Sequence, residues 1–238
     1  MPSIVGIEAE SRGASFWEHR ITGLLVLLFL AGWLPVLAAP IEVVSGKNQT
    51  FRAGLTYLVG RPIRLEGSVR FEGGCVIKFL PGRSAGLELG KDARVSWQAT
   101  PESPIVFTAS DDDSAGEPVP GSVGTPKTNP YADVALSVNG ARLESDQSSW
   151  NDFRISHARV ALQWTGTTAA LWHFEIQHCD VGIESTNSTL ALRNGLFHRV
   201  TAPFSDLKSS RVNGQQLTIA RADILNRRSS DSLSLIHI

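Results

Sequence analysis

"FEIQHCDVGI", residues 174–183, shares its spacing of apolar residues with three other segments. These are "FRISHARVAL" (153–162), "GLFHRVTAPF" (195–204) and "LTIARADILN" (217–226), and the four starts are 21, 21 and 22 residues apart. The apolar positions align in three columns: Ile155, Ile176, Phe197 and Ile219; Ala158, Cys179, Val200 and Ala222; Val160, Val181, Ala202 and Ile224. Each segment is two runs of alternating apolar residues joined by a shift of one residue. This pattern predicts two short strands that meet at a bend.

A strand repeat near 20 residues is typical of a solenoid. One coil cannot bury its inward side chains alone, so coils stack and each column becomes a continuous core. Segment 173–183 also holds residue types that suit zinc or acid–base chemistry. In the repeat, however, Cys179 takes a small inward position, and His178 and Asp180 point away from the core. His157 and His178 occupy the same place in consecutive coils, but two ligands alone do not make a metal site.

The alternating apolar pattern also occurs before residue 150, but less regularly. Residues 56–82, 85–100, 104–109 and 133–139 alternate over short stretches that Gly, Pro and Asp interrupt. Segment 110–131, "SDDDSAGEPVPGSVGTPKTNPY", has no strand pattern and predicts a long loop. We therefore predict a single all-β domain over residues 39–226, a parallel solenoid with a loop insertion at 110–131.

The N-terminal segment predicts export. Residues 21–39 are an unbroken apolar run after Arg20, and Val36 and Ala38 supply the small residues of a cleavage site. Residues 1–38 would then be a signal peptide, although a helical leader of this length could also remain as an anchor. No later segment is apolar enough to span a bilayer. The domain is expected in the extracellular space, at the cell surface or in the periplasm.

Composition excludes one class of function and bears on the cysteines. The 238 residues have a formal net charge of -1, which argues against a nucleic-acid binder because such proteins present a basic face. Export would permit a disulfide between Cys75 and Cys179. Each lies in an apolar run, however, where a free cysteine packs as a small hydrophobe, so we expect two free thiols.

The C-terminal tail, residues 227–238, follows no repeat. It ends in "LSLIHI" (233–238), which CTGTCTCTTATACACATC encodes, a sequence that looks like a transposon end used as a library adapter. We predict that residues 233–238 are an artefact and that the natural chain continues with further coils, a cap or other domains. A solenoid needs a polar cap, because its last coil otherwise exposes apolar side chains and unpaired strand edges.

Four segments carry a resemblance to a known superfamily: "FEGGCVIKF" (71–79), "PIVFTASDDDSAGE" (104–117), "FRISHARVAL" (153–162) and "LALRNGLFHRV" (190–200). The chain resembles the pectin-lyase-like, right-handed parallel β-helix superfamily over roughly residues 41–226. More closely, it is similar to a group of uncharacterised secreted bacterial β-helix proteins. The resemblance implies a right-handed β-helix. It does not imply one activity, since the superfamily includes lyases, hydrolases and adhesins.

Enzymes of this superfamily carry charged residues on adjacent coils of one outer face. The corresponding candidates in this chain are Asp180, Asp223, Arg159, Arg199 and His178. Asp180 and Asp223 would lie two coils apart, about 9.6 Å from the strand spacing, at the upper limit for an inverting pair of carboxylates. The superfamily's typical active-site runs are absent from the sequence. A structural face, with Arg159 and Asp180 as an exposed ion pair, is therefore the favoured interpretation.

The long loop and the tryptophans are candidates for binding. Asp111, Asp112, Asp113 and Glu117 place four carboxylates within seven residues, and oxygen ligands of this kind suit calcium. The alternative is a solvated acidic turn. Tryptophans 97, 150, 164 and 172 could stack on sugar rings, but packing in the core or at its edge is favoured.

We predict a role in carbohydrate binding or in structure and adhesion. The alternative is a polysaccharide lyase or glycoside hydrolase.

Overall fold

The protein is described from a computed structural model. The structure describes residues 39–82, 84–126, 130–144, 147 and 149–220, together with the backbone of 234–236. The predicted leader (1–38), most of the tail and the candidate Asp223 lie outside these residues. Among the described residues, no helix is long and apolar enough to cross a membrane.

The described chain is an all-β parallel solenoid of about seven coils, spaced about 22 residues apart. Its strands β1–β8 and β10–β16 alternate along the chain between two parallel sheets, while β9 pairs with β6 and β17 with β16. One sheet contains β1 (Ile41–Glu42), β3 (Thr56–Val59), β5 (Val76–Phe79), β7 (Ile105–Ala109), β10 (Trp150–Ser156), β12 (Thr168–Gln177), β14 (Thr189–His198), β16 (Arg211–Ala220) and β17 (Ser234–Ile236), in that order. The other contains β2 (Thr50–Phe51), β4 (Pro62–Glu72), β6 (Ala85–Gln98), β8 (Ala132–Asn139), β9 (Arg142–Leu143), β11 (Ala158–Thr165), β13 (Val181–Thr186) and β15 (Ala202–Lys208).

The strand register confirms the first predicted column. Ile155 pairs with Ile176, Ile176 with Phe197, and Phe197 with Ile219. The first three side chains have no exposed surface. Burying side chains of this size stabilises the fold by about 1.5–3 kcal/mol each relative to exposure, so the ladder is a main source of cohesion between the coils.

The other two predicted columns are both buried, but they differ in whether they join the main apolar cluster. Ala158, Cys179 and Val200 are buried in the apolar cluster that fills the coils, as predicted. Val160, Val181 and Ala202 are in register and buried, but they lie outside that cluster, which contains Ala161 instead. The predicted burial of this third column is therefore confirmed, although its side chains pack outside the main cluster. Ala161 belongs to the main cluster, and Gly182 is the equivalent residue of the next coil. A Cβ added at Gly182 would lie 2.8 Å from the Phe197 ring.

The bends of the coils use left-handed backbone at repeated positions. His157, His178 and Arg199 have φ of 60°, 50° and 54° and follow one another at the bend that the sequence predicts. A second column with positive φ contains Asp152, His173, Asn194 and Gln216, and a third contains Gly166, Asn187 and Ser209. Gly, Asn, Asp and His tolerate this conformation better than most residues. The histidines at this bend thus belong to the backbone geometry of the coil.

Three of the four candidate tryptophans belong to the core. Trp97, Trp150 and Trp164 are buried, and the rings of Trp97 and Trp150 lie 5.0 Å apart. Trp172 is half-buried, with the guanidinium of Arg193 5.4 Å from its ring centroid. The interpretation as core or edge packing is confirmed for the three buried rings.

Both cysteines are free and buried, as expected. Burial raises the pKa of each thiol to about 12, so the reactive thiolate is scarce at neutral pH. We expect iodoacetamide to label neither cysteine in the folded protein and both after denaturation, as measured by mass spectrometry. Rapid labelling of the folded protein, or a shift of the melting temperature on adding a reductant, would contradict this assignment.

The last strand that the structure describes, β17, pairs with the strand before it, β16. β17 runs parallel to β16, with Ser234 opposite Asn213. An open strand edge accepts any extended segment with free backbone groups, so this pairing does not bear on the origin of residues 233–238. That prediction stands as made.

Candidate functional site: a polar cleft beside the histidine bend

The long loop packs against the sheet that contains β3, β5 and β7. Lys78 Nζ donates a hydrogen bond to the backbone carbonyl of Glu117 at 2.8 Å, and the Glu117 N–H donates to Thr56 Oγ1 at 2.7 Å. The preceding residue, Gly116, has φ of 62°, and an added Cβ would lie 2.4 Å from Thr56 Oγ1. The first part of the loop, through Glu117, is therefore fixed on the outside of the coils.

Lys78 explains much of the acidic character of the loop. Its side chain has no exposed surface, and an unpaired buried ammonium would be costly. Burial lowers the pKa of Lys78, while the negative charges of Asp113, Asp112 and Glu117 oppose that shift. Three of the four predicted calcium ligands thus surround a cation that the chain itself supplies. The sequence did not mark Lys78 as a buried cation, because it lies in an otherwise apolar strand pattern.

The three aspartates of the loop accept hydrogen bonds from different partners. Asp111 accepts a hydrogen bond from the Tyr131 hydroxyl at 2.6 Å, and Asp113 accepts one from the Ser122 hydroxyl at 2.8 Å. Asp112 accepts bonds from Thr108 and from the backbone and hydroxyl of Ser114. Among the described residues, no group of three or more His, Cys, Asp or Glu is placed to hold a metal ion. Calcium binding by the loop stays a prediction.

A cleft of about 220 Å³ lies between the beginning of the loop and the ends of β10 and β12. Polar groups dominate its walls and include hydroxyls, an amide, a guanidinium, a carboxylate and two imidazoles. The lining residues are Val106, Asp112, Ser114, Ala115, Arg154, Ser156, His157, Gln177 and His178. Such a mixture of donors and acceptors on a rigid wall of strands is suited to a hydroxylated or charged ligand.

The two imidazoles of the cleft are in direct contact. The rings of His157 and His178 lie 5.0 Å apart with their planes inclined by 13°, and His198 meets His178 edge-on at 5.9 Å. Burial and the neighbouring His178 lower the pKa of His157, against the pull of Asp112. Burial, Arg199 and His198 lower the pKa of His178. Both histidines are thereby biased towards the neutral form.

Hydrogen bonds hold the rest of the cleft in place. Thr108 Oγ1 donates to Asp112 at 2.6 Å and lies 2.9 Å from Ser156 Oγ. Burial raises the pKa of Asp112, but the hydrogen bonds from Ser114 and Thr108 and the proximity of His157 outweigh it, so the pKa is below its usual value. Arg154 Nε pairs with Glu175 at 2.6 Å. The carboxylate and the guanidinium of the cleft are thus both charged at neutral pH and positioned.

The catalytic candidates do not converge on this cleft. Of the four that the structure describes, His178 lines it, and Arg199 lies close enough to His178 to lower its pKa. Arg159 Nε bonds instead to Asp133 at 2.5 Å, and its pKa is raised chiefly by that bond, with a smaller contribution from Asp180. The predicted contact of Arg159 with Asp180 is therefore replaced by a pair with the preceding coil. Asp223 lies outside the described residues.

Several lining residues were missed in the sequence, although a signal for them was present. Ser156 and Gln177 line the cleft, and together with the neighbouring His198 they occupy the position just before the bend in consecutive coils, 21 residues apart. The repeat alone therefore placed them in one outward column. Ser114 had no such signal, since loop residues have no repeat register.

A second groove of about 310 Å³ involves β4, β6, β8 and β11, on the sheet that contains β11. It is lined by apolar residues such as Ile63, Leu87 and Val134 and by polar ones such as Arg64, Glu88 and Gln163. None of the candidate site residues lines it. The cleft beside the histidine bend is therefore the better match to the sequence predictions.

Comparisons with known proteins add little to this description. No family model matches the chain, and no curated protein matches it. Among solved structures, the chain is similar to a candidate glycosyl hydrolase from Parabacteroides merdae at 10% identity, with 87% of this chain and 89% of that chain covered and a TM-score of 0.23. A similarity of this size carries no argument about function. The fold assignment rests on the strand register described above.

Proposed function

We propose that the chain is an exported, pectin-lyase-like, right-handed β-helix protein that binds an extended polysaccharide on its outer surface. The extracellular space, the cell surface and the periplasm are all compatible with the apolar leader. In this proposal the cleft beside the histidine bend holds one part of the polymer, and the neighbouring coils contact the rest. A purely structural or adhesive role is the main alternative.

The cleft is the single observation that carries the proposal. It is smaller than the roughly 300–1,000 Å³ of pockets for drug-sized ligands, so it suits one or two sugar units of a longer chain. Its hydroxyls, amide and charged groups offer both donors and acceptors to sugar hydroxyls. The loop that closes one side is fixed by Lys78 and Thr56, which lowers the entropy lost on binding.

A glycan array on the exported domain tests the proposal. We expect selective binding, weakened about tenfold by Arg154→Gln, which corresponds to loss of one charge-assisted hydrogen bond. Arg94→Gln is the matched control, because Arg94 is exposed on β6 and does not line the cleft. Calorimetry with the best array hit gives both affinities.

Three results would redirect the assignment. If no glycan binds, the structural or adhesive role takes precedence. If reducing ends or unsaturated products accumulate from an acidic polysaccharide, the protein is a hydrolase or lyase, and Asp180→Asn tests the catalytic candidate directly. Equal affinities for the Arg154 and Arg94 variants would remove the cleft from the binding surface.

A further inference from the structure

The stacked histidines of the cleft lie at equivalent positions of consecutive coils. His157 and His178 both lie at left-handed bend positions, in consecutive coils, and each hydrogen bonds through its backbone N–H to the next coil. The backbone thus places the two side chains next to each other, and their rings lie 5.0 Å apart. Protonation of both rings would place two positive charges at this distance, and a repulsion of this kind needs a counter-charge.

The charged and titratable groups around the pair come from every adjacent element. Asp112 and Tyr131 approach from the loop, Arg154 lies on β10, and His198 and Arg199 lie at the end of β14. Glu175 on β12 is engaged by Arg154. Among the residues that line the cleft, the negative charge of Asp112 and the positive charge of Arg154 cancel. Protonation of both histidines therefore gives the cleft a net charge of +2.

We propose that the cleft is an anion site controlled by protons: it holds a carboxylate or sulfate group when His157 and His178 are both charged, and releases it when they are neutral. This inference rests on the proposed function, and it narrows the ligand to an acidic saccharide. The anionic group adds negative charge beside the two rings and Arg154, where Asp112 alone does not balance two charged histidines. The protein would then bind its ligand in mildly acidic surroundings and release it near neutrality.

The direction of the pH effect follows from the site. The pKa values of both histidines are lowered, so the pair is mostly neutral at pH 7, and an arriving anion must bring protons with it. Affinity then rises by up to about tenfold per pH unit for each proton taken up.

The free protein has the opposite pH dependence. A histidine with a lowered pKa binds protons more readily when unfolded, so stability is lost as the pH falls through about 6.5 and below. A bound anion raises the pKa of the rings in the folded state and restores that stability. The melting temperature of the free protein should therefore decrease on acidification, and sulfate should reduce the decrease.

The test is calorimetry on the whole protein between pH 5 and pH 7.5, with inorganic sulfate, a sulfated oligosaccharide and its unsulfated counterpart as probes. Buffers of different ionisation enthalpy give the number of protons taken up. We expect both sulfated probes to bind more tightly at pH 5, by at least tenfold, with uptake of one to two protons near neutrality. The unsulfated probe should have an affinity that does not change with pH.

Variants separate the histidines from other titrating groups. His157→Asn and His178→Asn, singly and together, remove the titrating rings, and asparagine tolerates the left-handed backbone at both positions. His173→Asn is the matched control, because His173 also has positive φ but is exposed, contacts Asn194 and does not line the cleft. The double variant should lose the pH dependence, whereas the control should retain it. Circular dichroism melts verify that each variant folds.

The outcomes distinguish this inference from the proposed function. Sulfate binding that strengthens with acid and is lost in the double variant supports the proton-controlled site, even if the array finds no glycan. Glycan binding that is independent of pH, without proton uptake, overturns the inference and leaves the proposed function standing. Equal pH dependence in the double variant and in His173→Asn also overturns it.

Discussion

Ile176→Asp is expected to abolish cooperative folding. Ile176 has no exposed surface and lies between Ile155 and Phe197 in the central ladder. An aspartate there would place a carboxylate among apolar side chains with no partner, which costs at least about 4 kcal/mol. Small domains are stable by only about 5–15 kcal/mol. Because each coil contacts only its neighbours, loss of this rung should also separate the coils on either side of it.

The adjacent residue provides the control. The Glu175 side chain is 25% exposed and pairs with Arg154, and an ion pair of this kind contributes roughly 1 kcal/mol or less. Glu175→Ala should therefore melt within a few degrees of the unmodified protein. Thermal denaturation followed by circular dichroism measures both variants. Similar losses in the two would mean that the register of β12 is not the one described here.

Gly116→Ala is expected to release the loop from the sheet and to open the cleft. An alanine at this position carries the strain of a left-handed φ, about 1–2 kcal/mol, and its Cβ would also lie 2.4 Å from Thr56 Oγ1 and 2.9 Å from Val76 Cβ. Moving Thr56 breaks its bond with the Glu117 N–H. Hydrogen exchange at the Glu117 amide should accelerate by about a hundredfold, as for a change of about 3 kcal/mol in local opening.

A second glycine of the same loop isolates the steric part of this effect. Gly121 has φ of 86°, and an added Cβ would have nothing within 4 Å. Gly121→Ala should therefore share the backbone strain but leave the Glu117 amide protected and the ligand affinity unchanged. If the two alanine variants exchange equally fast at Glu117, then close packing on Thr56 and Val76 does not hold the loop.

The strands of the C-terminal coils could be predicted because their information is periodic. Ile155, Ile176 and Phe197 repeat at a constant interval, and stacked coils convert a repeat in sequence directly into neighbours in space. The bend was predictable for the same reason, since the phase of the apolar pattern changes there. The burial of Val160 was predicted correctly, but the pattern did not show that the neighbouring Ala161 joins the main apolar cluster. Valine and alanine are both apolar, so hydrophobicity alone did not distinguish Val160 from Ala161.

The site was predictable only where it belongs to the repeat. His157 and His178 could be placed side by side from their spacing, but their role as bend residues with positive φ is a property of the folded backbone. The same spacing did not predict that Arg159 would bond to Asp133 and not to Asp180. Each guanidinium in such a column has a neighbour in both directions, and side-chain geometry decides between them.

The sequence by itself determined the parallel solenoid, its coil length and the column of large apolar residues, because each depends on contacts at one fixed separation along the chain. Only the tertiary structure decided what covers the outside of the coils. Lys78 and Glu117 are 39 residues apart and meet because the loop folds back over β5. No periodic pattern records such a contact. The cleft depends on that fold-back, since Asp112 and Ser114 form its wall opposite the two histidines.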